Sequence, residues 1–456
     1  MKTPDFGKKD WIEIGREINY NSLETELLEK HLSTPMRNVT IASSYLSRYQ
    51  QVIQTAAIEK FLESEQYTVV DKLLVEEGRL RAFEYTDVEI DPDVYVQAPN
   101  RGYFFITREF NRKMERLVVH LDEYGYQRYK IWVYSRIGEQ ALASTFLSRL
   151  AEFSKVNNIL RGKRISPSFV HIKRNASYTW ESVILPDVTR QELQRNINLL
   201  LDNVEIYKKN GMTFKRGLIL KGEPGTGKTL IGKILCNTLK GTTFVWVTPG
   251  DLGDPKNVKH ICELARNLAP TVLFLEDIDL YGSSRERANR GILGELMNQL
   301  DGVVENEFVI VIATTNRAEE LEEALRNRPG RFDRVIPIGK PDDICRRKML
   351  AAFLSKIEIR VKDEGRLLDV LTKATDGFTG AHVKELVNSA VISAIDEKSV
   401  NADGKVVLTV DHFQANLERV KGQTIKPAGF KITGKNSDDE NSDLLNDLEG
   451  RVLPDD

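Results

Sequence analysis

The sequence predicts an α/β protein, a parallel sheet with helices on both faces plus a small helical lid, preceded by an α+β N-terminal domain. Three features of the chain predict it. Beyond Trp180, apolar runs at 218–220, 244–247, 272–275, 309–313 and 335–338 alternate with helical segments, the pattern of a sheet covered on both faces. From 341 to about Val420 the periodicity is mostly helical. Ahead of both, short β-rich runs separated by Gly, Asp and Asn give the texture of several paired strands.

In chain order, 1–20 is polar and mixed in charge and has no apolar core of a leader peptide. From 22 to about 62 two amphipathic helical segments are expected, with Ile53, Ala56, Ala57 and Phe61 at helical spacing. Strands are expected at 103–107, 117–121 and 130–134, a helix at 141–160, and a basic, irregular linker at 161–174. The expected domains are 1–178, an N-terminal substrate or partner domain; 179–340, the large α/β subdomain; 341–425, the helical lid; and 426–456, an acidic flexible tail. That tail carries Asp438, Asp439, Glu440, Asp443, Asp447, Glu449, Asp455 and Asp456 with few large apolar groups, a composition that favours solvation.

A chain of 456 residues is expected to form two or three domains. Its 41% hydrophobic and 29% charged residues fit a soluble protein, and a net charge of −2 gives no general attraction to nucleic acid or anionic membrane. No run approaches the roughly 18 uncharged apolar residues of a membrane helix. The cysteines, Cys236, Cys262 and Cys345, include no CxxC pair and read as buried thiols of a reducing cytoplasm. No HExxH surrounds any of the six histidines, which sets aside a fused zinc protease.

Gly222-Glu223-Pro224-Gly225-Thr226-Gly227-Lys228-Thr229 matches GxxxxGK followed by Ser or Thr at every fixed position. An apolar strand precedes it and the helical run opening at Leu230 follows it. Glycines let the backbone curl until successive N–H groups point inward at phosphate oxygens. The following helix adds its positive end. Lys228 supplies a point charge for the β and γ phosphates, and Thr229 a hydroxyl for Mg²⁺. The expected nucleotide contacts are therefore Gly222, Glu223, Pro224, Gly225, Thr226, Gly227, Lys228, Thr229 and Leu230.

The apolar run 272–275 ends abruptly in Glu276 and Asp277. Carboxylates at the C-terminal end of a buried strand belong in the crevice where open α/β sheets bind ligands. One can hold Mg²⁺ through its oxygen-rich shell, and the other can orient an attacking water. A second apolar strand ends at Thr314-Thr315-Asn316, where a neutral amide can face the γ phosphate or the water. An asparagine after a strand is, taken alone, more often a turn residue.

Together these motifs resemble the AAA ATPase family across roughly 180–420. They are joined by 313–317 (Ala-Thr-Thr-Asn-Arg), 328–334 (Arg-Pro-Gly-Arg-Phe-Asp-Arg) and 377–381 (Gly-Phe-Thr-Gly-Ala). The resemblance implies ATP as substrate with Mg²⁺, and Asn316 as sensor. It makes Arg328 and Arg331 arginine fingers reaching a neighbouring subunit's site in a ring, expected to be a hexamer. Gly380 and Ala381 would lie beside the adenine, with 184–187 touching the base from the other side. Fixed guanidinium forks suit charge that builds on a transferred phosphoryl group; in GTPases such fingers are worth on the order of 10³–10⁵ in rate.

The family usually ends the acidic strand Asp-Glu, whereas here the order is Glu276-Asp277. By position Glu276, with Thr229, takes the metal side and Asp277 the water side. The reversed order also occurs in the branch resembling the mitochondrial translocase of the Rieske iron–sulfur protein, whose middle domain 103–187 loosely resembles. Lacking that protein's membrane helix, the chain fits a soluble, chaperone-like relative better.

Protein-threading rings carry an aromatic–hydrophobic–Gly pore loop after the second strand. The equivalent stretch here, 248–256, has no aromatic residue. A wider passage or folded cargo fits it, and 281–290 would form a second, charged loop. The expected function is an ATP-hydrolysing cytoplasmic ring motor that remodels, unfolds or translocates protein substrates. Two alternatives stand beside it: a nucleic-acid-associated P-loop motor, disfavoured by near-neutral charge, and a nucleotide-gated scaffold with slow hydrolysis.

Overall fold

Alternation along β-strands decides which faces must be covered, and the first part of the chain has a central strand that is apolar on both. A computed structural model describes residues 23–123, 129–212, 214–279, 294–296, 298–299, 307–316, 332, 334–355, 357–361 and 363–424. The chain divides into two compact units, Met1–Lys163 and Arg164–Asp456.

In the first unit, α1 (Leu23–Leu32) precedes β1 (Val39–Leu46) and α2 (Arg48–Ser64). Then come β2 (Thr68–Glu76), β3 (Arg79–Arg81), β4 (Glu84–Asp91), β5 (Val94–Phe110), β6 (Lys113–Glu123), β7 (Tyr129–Arg136) and α3 (Gln140–Val156). The strands form one antiparallel sheet in the order β1-β7-β6-β5-β2-β3, with β4 paired to β5. Phe104, Ile106 and Val119 point to one face, where Phe61 of α2 and Phe146 of α3 cover them. Tyr103, Phe105 and Val118 point to the other, against Leu28 and Leu32 of α1. Both faces of β5 are thereby taken out of water, which accounts for its unbroken apolar run Tyr103–Ile106.

The strands expected at 103–107, 117–121 and 130–134 lie within β5, β6 and β7, and the helix expected at 141–160 is α3, which ends at Val156. The stretch read as two helices holds a strand between them. β1 pairs along its whole length with β7, and its Thr and Ser residues hide the period-two pattern. Ser47 then starts α2 with a reciprocal cap, its hydroxyl accepting from the Gln50 N–H while the Gln50 side chain accepts from the Ser47 N–H.

The second unit opens on β8 (Arg164–Ile165), followed by α4 (Asp187–Asn196), α5 (Asn198–Asp202), α6 (Val204–Lys209) and β9 (Lys215–Lys221). α7 (Lys228–Thr238), β10 (Thr243–Val247), α8 (Pro255–Asn267), β11 (Thr271–Leu275), β12 (Val309–Thr315) and β13 (Arg334–Pro337) continue it. These strands form a six-stranded sheet, β13-β9-β12-β11-β10-β8, parallel throughout. Four of the five expected runs lie within its strands, and the fifth, 335–338, runs one residue past β13. Leu218, Phe274 and Ile310 face α7 through Ile231 and Ile234, while α8 packs on β11 from the other side.

Part of the expected linker belongs to this sheet instead. β8 pairs with β10, and buried Arg164 donates to the carbonyls of Cys236, at 3.0 Å from Nε, and of Leu239 at the C-terminal end of α7. A guanidinium there satisfies carbonyls that the helix leaves unpaired and faces its negative end. The compact division accordingly falls at Lys163/Arg164, ahead of the boundary expected at 178/179.

The lid region comprises α9 (Asp343–Leu354), β14 (Glu358–Ile359), α10 (Glu364–Ala374), α11 (Gly380–Asp396), β15 (Val407–Leu408) and α12 (Val410–Thr424). It has its own core, with Leu350, Leu371, Phe378, Leu386 and Phe413 fully buried. Asp342, Asp363 and Thr379 cap α9, α10 and α11 by accepting from the N–H groups of Cys345, Arg366 and His382. The three cysteines are buried thiols, and burial pushes Cys236 up to about 11. Among the described residues no helix is long and apolar enough to cross a membrane. The stretches 1–20, 281–290 and 426–456 lie outside the described residues.

Arg346, only 3% exposed, ties the lid's first two helices together. It donates to the carbonyls of Pro341 and Thr372 and pairs with Asp343 at 2.6 Å and Asp376 at 3.1 Å. Arg346→Ala should destabilise the lid by roughly 1–3 kcal/mol, the cost of leaving buried acceptors unpaired. Hydrogen exchange of the α9 and α10 amides measures this; unchanged protection there would contradict it.

Candidate nucleotide site

At the C-terminal ends of β9, β11 and β12 the sheet presents a loop, two carboxylates and an amide side by side. The loop 222–227 leaves β9 with the Gly222 N–H donating to the Thr315 carbonyl at 3.2 Å. Gly222 has no room for a side chain, because a Cβ would stand 2.1 Å from the Ile338 carbonyl oxygen. Thr226 Oγ1 closes the turn by donating to the Glu223 carbonyl at 2.9 Å. At the rim, Glu223 pairs with Lys340 at 3.3 Å. Gly227, at φ 104°, hands the chain to α7, whose free N–H groups and positive end face the loop.

Lys228 is 5% exposed. Its Nζ donates to the carbonyls of Gly222 (2.8 Å) and Glu223 (2.9 Å) and to Asn316 Oδ1 (2.7 Å). Burial lowers its pKa, and the charges of Asp277 and Asp279 pull the other way. An ammonium only donates, so this contact fixes the Asn316 amide with its oxygen toward Lys228. The Asn316 main-chain N–H donates to Asp279 Oδ1 at 3.1 Å.

Thr229 Oγ1 donates to Glu276 Oε1 at 2.7 Å, so the two residues expected on the metal side are adjacent. A hydroxyl and a carboxylate are the hard oxygen donors that Mg²⁺ takes when phosphates and water complete its shell. Asp277 sits beside them at φ 42°, a left-handed conformation unusual outside glycine. Its N–H donates to Thr314 Oγ1 at 2.8 Å, and that hydroxyl lies 3.3 Å from Asp277 Oδ1. Burial, then Asp279 and Glu276, raise the Asp277 pKa, opposed by Thr314 and Lys228.

The lid reaches the loop through α11. The Ala381 N–H donates to the Gly225 carbonyl at 3.1 Å. Gly225, at φ +81°, has space for no Cβ, which would meet Ala381 Cβ at 2.7 Å and Thr379 Oγ1 at 2.9 Å. Gly380 lies on the same contact, and Leu230 packs into the sheet's core. Of 184–187, Ile184 is half-buried and Leu185 buried, and Asp187 opens α4. Pro224 is exposed at the loop's tip.

After β10 the stretch expected to be a pore loop is short and self-capped. Asp251 accepts from the N–H and the hydroxyl of Thr248, at 2.8 and 2.7 Å, and Leu252 is buried. Arg328 and Arg331 lie outside the described residues. The sequence reading missed Thr314 and Trp246, whose Nε1 donates to Glu276 Oε2 at 3.1 Å. The available signal was a polar-headed residue on each strand flanking β11, near its acidic end.

Residues 218–340 match the family model described as ATPase family associated with various cellular activities (AAA). The chain is 32% identical over 258 residues to the proteasome-activating nucleotidase of Sulfurisphaera tokodaii, covering 54% of this chain and 63% of that protein. It is 38% identical over 221 residues to the 26S proteasome regulatory subunit 4 homolog B of Arabidopsis thaliana, covering 46% and 49%. To the chloroplastic ATP-dependent zinc metalloprotease FTSH 7 of the same plant it is 33% identical over 268 residues, covering 56% and 32%. The chain thus spans between about a third and two thirds of the length of these curated relatives.

Gly225→Ala should cost roughly 1–3 kcal/mol, as overpacking does, and should release the Ala381 N–H to exchange with solvent. Thermal melting and amide exchange at Ala381 read the two effects. Protection at Ala381 equal to wild type would show that the loop and α11 are not locked together.

Proposed function

We propose that this chain, whose residues 218–340 match the AAA family model, is an ATP-hydrolysing ring motor, a hexamer, that remodels, unfolds or translocates protein substrates. The observation that carries the proposal is the convergence at Lys228. One ammonium gathers the phosphate-type loop and the Asn316 sensor position, with Thr229 and Glu276 joined beside it.

In this reading the loop N–H groups and the positive end of α7 hold the phosphates, and Lys228 neutralises charge on the β and γ oxygens. Mg²⁺, when bound, would be held by Thr229 and Glu276 and would supply further charge neutralisation at the phosphates. Asp277 accepts a hydrogen bond from the attacking water, its carboxylate steadied by Thr314. Asn316 directs its amide N–H₂ away from Lys228, leaving donors for the γ phosphate or the water. Gly380 and Ala381, tied to the loop, place the lid against the nucleotide, so that gain or loss of a phosphate is felt in 341–425. Arg328 and Arg331 complete the site of the adjacent subunit; their roles rest on the sequence motif.

A protein substrate is favoured over nucleic acid by the near-neutral charge. It is favoured too by relatives whose names place them with proteasomes and proteolysis. The self-capped turn after β10 fits a passage for folded or loosely held cargo better than a tight grip on an extended chain.

Steady-state ATP hydrolysis tests the proposal. Lys228→Ala and Asp277→Asn should each lower turnover by on the order of 10²–10³, the scale for removing one group that stabilises a transition state. Wild-type turnover in both variants would remove the catalytic assignment, and absence of turnover in the wild type would leave only a scaffold. Mixing Arg331→Ala with Lys228→Ala subunits should give activities that depend non-additively on the ratio; strictly additive activities would exclude action between subunits.

A further inference from the structure

Glu276 has one more side-chain torsion to fix than an aspartate would, so a rigid position for both of its oxygens has to be built. It is built from two sides. Thr229 Oγ1 donates to Oε1 at 2.7 Å, and Trp246 Nε1 donates to Oε2 at 3.1 Å. The Glu276 main-chain N–H is held as well, donating to the Val247 carbonyl at 2.9 Å. An indole N–H is a donor only, and a bond to an ionised carboxylate is among the stronger ones.

The donor is packed against the core of the sheet. Trp246 stands opposite Phe274 in the register of β10 and β11. Its ring lies 4.8 Å from that of Phe274 and 6.0 Å from that of Phe244, and both phenylalanines are fully buried. The indole is thus clamped by the core of the sheet while its polar edge reaches the acidic end of the neighbouring strand. Trp246 also lines a cavity of about 340 Å³ with Tyr178, Lys233 and Asn237.

Resting on the reading that Glu276 is the metal-side carboxylate, we propose that Trp246 is a positioning residue for divalent-cation binding. Its N–H pins Oε2 and so keeps Oε1 beside the Thr229 hydroxyl as one preformed pair of oxygen donors. Without it, among the described residues, the Glu276 carboxylate keeps the Thr229 bond alone, and Oε2 must be ordered when the cation arrives.

The test is binding of a fluorescent ATP analogue to the full chain, titrated with and without Mg²⁺. Trp246→Phe should leave metal-free nucleotide affinity unchanged. It should raise the Mg²⁺ concentration for half-saturation by roughly 10–100-fold, the usual effect of losing a group that orients a metal ligand. In a Glu276→Ala background the same change should have no further effect, because there is no carboxylate left to orient. An unmoved Mg²⁺ dependence, weakened metal-free binding, or an equal loss in both backgrounds each overturns the positioning role and leaves the proposed ATPase standing. If the wild type shows no Mg²⁺-dependent nucleotide binding at all, both proposals fall together.

Discussion

An ammonium group can be carried to 5% exposure only where protein oxygens replace its water, and Lys228 is such a group. Two loop carbonyls and the Asn316 amide oxygen take its three N–H bonds, and Asp277 and Asp279 supply the compensating field. Each partner comes from a different place: the turn after β9, the end of β12 and the end of β11. The cation is therefore satisfied only if these strands lie together in register. That is the order found, β9 beside β12 beside β11. The geometry of the sheet and the solvation of one charge are the same requirement.

The rest of the site follows from that requirement. Parallel strands all end on one edge, so the turn after β9 and the side chains ending β11 and β12 meet there without a detour of the chain. The loop must pass close under the Ile338 carbonyl and against α11, and glycines at 222 and 225 make both passages possible. The lid is thus joined to the phosphate loop by a main-chain hydrogen bond. It needs no side-chain reach.

Legibility in the sequence tracked how local each signal is. The five apolar runs and the GxxxxGK loop are each contained in fewer than a dozen residues, and each lies where its pattern says. β1 was not legible, because Thr40, Ser43 and Ser44 blur the alternation and its partner β7 lies far along the chain. Nor was β8 legible, since two residues show no periodicity. Backbone pairing with β10 joins β8 to the sheet, and the Arg164 guanidinium ties it to the end of α7 through the carbonyls of Cys236 and Leu239. Trp246 reads from sequence as one more apolar core residue. Only the register that sets it opposite Phe274 shows its N–H directed at Glu276.

The order Glu276-Asp277 raised the question of whether two exchanged carboxylates can occupy one pair of positions. In the structure each carboxylate is held in its own way. The longer Glu276 would be loose on its own, and it is gripped at both oxygens by Thr229 and Trp246. The shorter Asp277 cannot gain reach through its side chain, and it takes a left-handed backbone at φ 42° instead. Such a conformation costs an ordinary residue on the order of 1 kcal/mol and persists only where surrounding bonds enforce it. Here Thr314 enforces it, its hydroxyl accepting from the Asp277 N–H at 2.8 Å. Glu276 is thus fixed by donors to both of its oxygens, and Asp277 by a main-chain bond to the neighbouring strand. The neighbours of each carboxylate, rather than the order of the pair, set where its oxygens stand.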